Sequence, residues 1–141
     1  MNANAPAAGS TGHRSLLPDG WPIPKGYANG VIAQGPTIYV GGQIGWDTGG
    51  VFAEDFAGQF RQTLENIVAV LAAGGGRPSD LVRMTWFVTD IEAYVANLAM
   101  VGRIYRAVIG RHYPAMSVVQ VVRLVEAEAM IEIEATAVLA R

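Results

Sequence analysis

From Glu126 to Leu139 the sequence alternates with a period of two, and no other feature constrains the fold as much. The even positions are Glu126, Glu128, Met130, Glu132, Glu134, Thr136 and Val138; the odd ones are Ala127, Ala129, Ile131, Ile133, Ala135, Ala137 and Leu139. That is the period of a strand with one buried face. It predicts a single strand over the whole segment, with all four glutamates on one side. The apolar side needs a covering layer, and two helical patterns supply it. Phe56, Phe60, Leu64, Ile67, Val68 and Leu71 recur at helical spacing, predicting a helix over about residues 54–73 that Gly74-Gly75-Gly76 stops. Tyr94, Leu98, Val101, Tyr105 and Val108 mark the buried stripe of a second helix, opened by a Thr89-x-x-Glu92 capping box and ended at Gly110.

Further strands are predicted at Val31–Ala33, Thr37–Ile44 and Leu81–Thr89, the last with Val82, Met84, Trp86 and Val88 on one face. Ser117–Val125 is apolar on both faces and reads as a central strand. Gln34-Gly35-Pro36 and Asp47-Thr48-Gly49-Gly50 are turn signals. The pattern predicts an α+β two-layer sandwich, a mixed sheet with both helices on one face. The other face is left without cover, which a closed ring of subunits would provide.

Composition agrees with such a ring. In 141 residues, hydrophobic side chains make up 51% and charged ones 16%, well below the usual charge content of about 25%. The spare apolar surface calls for a partner. Net charge is -2 with a single lysine, Lys25, and no basic stripe to meet phosphates, so nucleic acid is not an expected partner. Cysteine is absent, which removes disulfides, thiolate metal sites and cysteine nucleophiles. No apolar run is long enough for a membrane span and the first residues lack a secretory apolar core, so a soluble cytoplasmic protein is expected. Residues 1–20 read as a flexible N-terminal tail and 21–141 as one domain, with Trp21 to Tyr27 extended by its prolines.

Familiar catalytic constellations are mostly missing. His13 and His112 cannot make a metal cluster of known spacing, and there is no phosphate-binding loop, no GxGxxG after a strand and no GxSxG elbow. No metal or cofactor is expected. Lys25 lies in a proline-rich loop, where lysines are normally solvated. Glu132 and Glu134 read either as a solvated acidic face or as a carboxylate that polarises a water in a subunit cleft. Gly41-Gly42-Gln43-Ile44-Gly45 puts three glycines into a strand, which signals a bulge or a backbone edge offered to a ligand. Tyr27 reads as a packing residue or a pocket wall, and Trp46 and Trp86 as core or interface residues.

Several of these stretches, in order, resemble the Rid family, the YjgF-like reactive intermediate deaminases. The resemblance rests on Gly26-Tyr27-Ala28-Asn29-Gly30, Ile38 to Gly45, Gln59 to Gly75, Asp80 to Arg83, Phe87 to Asp90, Pro114 to Val121 and Ile131 to Ala137, and so covers about Tyr27 to Leu139. It implies a chorismate-mutase-like fold, a homotrimer with clefts between subunits, and hydrolysis of imines or enamines. It places the cleft tyrosine at Tyr27 and the cleft glutamate, the catalytic candidate, at Glu132. The Gly41 and Gly42 amides, Met116, Ser117 and Val118 would contact the ligand, with Met116 making the cleft more apolar and favouring a bulkier or aromatic substrate.

Two departures matter. The family's serine falls on Gly41, and its carboxylate-binding arginine falls on Met116, which cannot fork onto a carboxylate. Acids of the 2-aminoacrylate type are therefore expected to be poor substrates. A longer second helix would bring Arg103, Arg111 and His112 to the cleft rim as replacement cations. The alternative is a non-catalytic trimer binding a small ligand in the same clefts. A ribonuclease reading is rejected, because an acidic chain without a histidine pair suits phosphodiester chemistry poorly.

Overall fold

The computed structural model describes residues 12–139. In chain order the elements are β1 (Arg14–Leu16), β2 (Gly30–Ile32), β3 (Thr37–Ile44), α1 (Phe56–Ala73), β4 (Leu81–Val88), α2 (Ile91–Ala96), α3 (Leu98–Val108), β5 (Ala115–Gln120) and β6 (Ile131–Val138). A 3₁₀ turn, Pro78–Asp80, leads into β4.

The alternating segment folds as expected over its second part. β6 lies between β3 and β4, antiparallel to both, and β5 runs parallel to β4 at the sheet edge, giving the order β3-β6-β4-β5. Ile131, Ile133, Ala135 and Ala137 point into the core. Residues 126–130 do not join the strand. They form a turn in which the Ala129 amide donates to the Glu126 carbonyl, so Glu126 and Glu128 leave the sheet. The cause is Gln59, which is buried in α1. Its Nε2 donates to the carbonyls of Ala53 and Glu128, and its Oε1 accepts from the Met130 amide, so this turn is fastened to the helix.

Helix α1 begins where Asp55 caps it, accepting from the Gly58 amide at 2.8 Å. Its apolar stripe, Phe60, Leu64, Ile67 and Leu71, is fully buried on the sheet. The second helical region departs from expectation. Asp90, not Thr89, is the N-cap, accepting from Ala93 N at 3.1 Å, while the Thr89 hydroxyl turns to the Met130 carbonyl. The region then divides at Asn97 into α2 and α3, and Leu98, expected in the buried stripe, is exposed. Val101, Ile104 and Tyr105 carry the packing of α3. Trp86 on β4 joins the layers, 5.1 Å from Phe60 and 6.1 Å from Tyr105 between ring centres.

Three further corrections concern strands. The segment expected to be central, Ser117–Val125, is the edge strand β5 only as far as Gln120, and Val122 and Val125 lie exposed beyond it. On its outer face Ser117 and Val119 are exposed, while Val121 and Leu124 pack with Ile44 and Ala129. In β4 a register shift between Leu81 and Arg83 rotates Val82 out of line, so that Leu81, Met84, Trp86 and Val88 are the buried set. The expected tail holds a strand: β1 pairs antiparallel with β2, Leu16 resting on Gly30. Three residues are too few for a periodic signal. Residues 1–11 of that tail lie outside the described residues.

Both helical layers cover one sheet face. On the other, Tyr39 (80% exposed), Arg83, Thr85, Ser117, Val119 and Glu134 look outward. Among the described residues no helix is long and apolar enough to cross a membrane.

Candidate functional site

The expected site residues fall into two groups, one on each side of the sheet. On the helix side, the extended segment before β2 runs beside β5. The Ala28 amide donates to the Pro114 carbonyl at 3.0 Å, and Ala28 bridges Ala115 in parallel. This sets Tyr27 against Met116 and Val118, which share the helix-side face of β5 because they pair with Met84 and Trp86. Together they line a cavity of about 540 Å³. Trp86, Tyr94, Tyr105 and Tyr113 form its other walls, and Lys25 and Arg106 complete it.

The aromatic walls are held from behind. Tyr105 and Tyr113 stack with centroids 5.5 Å apart, and the Tyr105 hydroxyl donates to the His112 carbonyl. Burial pushes the Tyr105 hydroxyl well above the ordinary tyrosine range, with Tyr113 adding to the effect, and burial raises Tyr94 as well. The Trp86 indole NH is buried without a hydrogen-bond partner in the structure, so the ring acts as an apolar wall.

On the opposite face sits Glu132, at the end where its register partners Ile44 and Phe87 pack with Leu124 and Ala129 in a small second core. Val40 pairs with Ala135 and Gln43 with Ile133, so Gly41 and Gly42 together oppose Glu134 alone, the signature of a bulge. Half-buried Glu132 lays its carboxylate over Gly42: a methyl group on Gly42 would stand 2.7 Å from Oε1. Nothing lies within 4 Å of the same position on Gly41. Gly41 instead borders a shallower depression of about 470 Å³ with Tyr39, Arg83, Thr85 and Glu134. Ser117 also faces this side.

The three rim candidates stand elsewhere. Arg103 and Arg111 are exposed and do not line the helix-side cavity, and the His112 ring is engaged with the Leu81 carbonyl at 2.7 Å. The cations that do line it are Lys25 and Arg106. The available signal was local: Lys25 stands two positions before Tyr27, and Arg106 lies four after Gly102, where the absent side chain leaves room for the guanidinium. A Cβ on Gly102 would come within 3.0 Å of Arg106 Nη1.

Known proteins place this arrangement in context. The family model described as endoribonuclease L-PSP matches residues 22–139. A 2-iminobutanoate/2-iminopropanoate deaminase of Salmonella typhimurium is 41% identical over 117 residues, covering 79% of this chain and 86% of that protein. A Rid-family protein of unknown function from Yersinia pestis, YyfB, superposes with a TM-score of 0.79 at 31% identity, covering 90% of this chain and 98% of its own. The TdcF protein of E. coli, solved with bound serine, superposes at 0.64 with 32% identity, covering 82% and 90%. With a family model spanning nearly all the described residues and relatives alike in sequence and in fold, the chain belongs to the endoribonuclease L-PSP family, the YjgF-like or Rid proteins.

Proposed function

We propose that the protein is a Rid-type deaminase that hydrolyses a small imine or enamine in clefts between the subunits of a homotrimer, and that acids of the 2-aminoacrylate type are not its good substrates. The observation that carries this reading is the division of the site by the sheet. Tyr27 and Met116 lie on one side and Glu132, over Gly42, on the other. One substrate can meet both groups only where the helix-side cavity of one copy faces the bare sheet of another, so a site of this make-up is complete in an assembly and incomplete in one chain.

In such a cleft Glu132 accepts a proton from water as the oxygen adds to the C=N carbon. Glu132 returns that proton to the nitrogen, and the carbinolamine collapses as its hydroxyl proton passes to the amine, C–N cleavage releasing ammonia and leaving the carbonyl product. The Gly41–Gly42 backbone borders the reacting group, and Tyr27 with Val118 walls the remainder. Named imine deaminases among the relatives support this chemistry. The two histidines do not support phosphodiester cleavage: His112 is held on a backbone carbonyl and His13 is buried ahead of β1.

The test is ammonia release from imines generated in situ by an amino-acid oxidase. Wild-type protein should accelerate release for part of an aliphatic and aromatic panel, and Glu132→Gln should lower the rate roughly 10²–10⁴-fold, as loss of a general acid–base group does. Met116 and Gly41, which offer a ligand neither a carboxylate-pairing cation nor a hydroxyl, favour one second reading, a non-catalytic binder. Saturable cleft binding without hydrolysis of any imine in the panel would establish it instead.

A further inference from the structure

We infer that the helix-side cavity selects an aryl-substituted monocarboxylate, so that the substrate class is the 2-imino acid with an aromatic side chain. This rests on the deaminase reading for its chemistry, though not for its binding.

Three observations point the same way. The first is shape and surface: a cavity of about 540 Å³ lies in the range of small-molecule sites, roughly 300–1,000 Å³. Its walls are rings, Trp86 with Tyr94 at 83° and Tyr105 stacked on Tyr113 at 14°. A flat ring meets such walls edge-to-face or offset, with more gain than an alkyl chain of equal area. The second is charge. Lys25 and Arg106 are the charged residues of the lining, and no acidic side chain accompanies them. A cavity bordered by two cations favours an anion and disfavours an amine. The third is position. Met116 on the cavity wall is apolar and cannot hold a carboxylate, so an anchoring cation must act from elsewhere. Arg106, on α3, can present its planar fork because Gly102 carries no side chain beneath it. An acid with only a methyl or ethyl side chain leaves the ring-lined volume unfilled, whereas an aryl acid fills it while its carboxylate stays with Lys25 and Arg106.

The probe is 3-phenylpropanoate, a stable acid with no imine to hydrolyse, measured by calorimetry on the full chain in its native assembly. It should bind saturably, at least roughly tenfold more tightly than propanoate and than uncharged 3-phenylpropanamide. Arg106→Gln should weaken it roughly ten- to hundredfold, and Lys25→Gln with Arg106→Gln should reduce it to the level of the amide. Both side chains are exposed, so these variants should fold. Equal affinity for propanoate and 3-phenylpropanoate, equal affinity for acid and amide, or unchanged affinity in the double variant would overturn the inference. Hydrolysis is scored separately. Aryl-acid binding without turnover defeats the deaminase reading and leaves the inference standing. Turnover of small aliphatic imines without aryl-acid binding does the reverse.

Discussion

Two adjacent glycines on β3 have opposite tolerances. Gly41 faces open space, so Gly41→Ser should alter stability by no more than about 0.5 kcal/mol. At Gly42 a methyl group would collide with the Glu132 carboxylate at 2.7 Å and its carbon at 2.8 Å. Gly42→Ala should therefore displace Glu132 and lower imine turnover at least roughly tenfold, while the circular dichroism spectrum is retained; unchanged turnover would separate Glu132 from the chemistry. Tyr105 gives a pH signature. Its folded pKa lies above the ordinary 10.0 because the ring is buried. Its contribution is fully present below about pH 10, where the unfolded chain also holds the proton, and is lost as pH rises toward the folded value. Urea midpoints should fall as pH rises above about 10, and Tyr105→Phe should flatten that fall. Tyr27 and Met116 could be singled out beforehand because they stand in recognisable motifs. Arg106 could not, since its part depends on a missing side chain one turn away and on α3 reaching β5.

Helix starts are where elements and sequence disagree most instructively. Thr89 and Asp90 are neighbouring cap candidates, and the Thr-x-x-Glu spacing favoured the first. The strand decides otherwise: the Thr89 amide still donates to the Met130 carbonyl, extending the ladder of β4 and β6 by one residue, so the helix opens one position later. Asp90→Ala should lower stability by about 1 kcal/mol and Thr89→Ala by less, read as denaturant midpoints. Gln59 was invisible for a related reason. In sequence it is one polar residue on a helix, and its three bonds go to loops before and after it, the farthest to Met130. Gln59→Leu would leave two carbonyls and an amide without their partner, at a cost of about 3 kcal/mol. The helices and the core face of β6 were legible because local period and burial coincide there. The ends of β5 and β6 were not, since Val121 to Met130 stays apolar and alternating while its backbone is claimed by turns.

At the scale of the molecule the bare sheet face dominates. Tyr39, Thr85 and Val119 stand on it beside Arg83 and Glu134, a mixed surface that suits contact with another copy. The proposed trimer predicts a threefold mass by light scattering and a melting temperature that rises with protein concentration. Tyr39→Glu should shift the assembly toward monomer without unfolding it, and deaminase activity should fall in parallel. A stable wild-type monomer would remove the shared cleft. The position of β6 has a further consequence, for synthesis. It is the centre of the sheet and the last strand in chain order, so β3 and β4 are made long before the neighbour each needs. Until Ile131–Val138 leaves the ribosome, both strands carry open edges and α1 has only β3 as its floor. Folding must wait for that final segment, through pairings as distant as Thr37 with Val138. A nascent chain halted before Ile131 should bind chaperones and be cut rapidly by protease, whereas the released chain should become resistant in a single step.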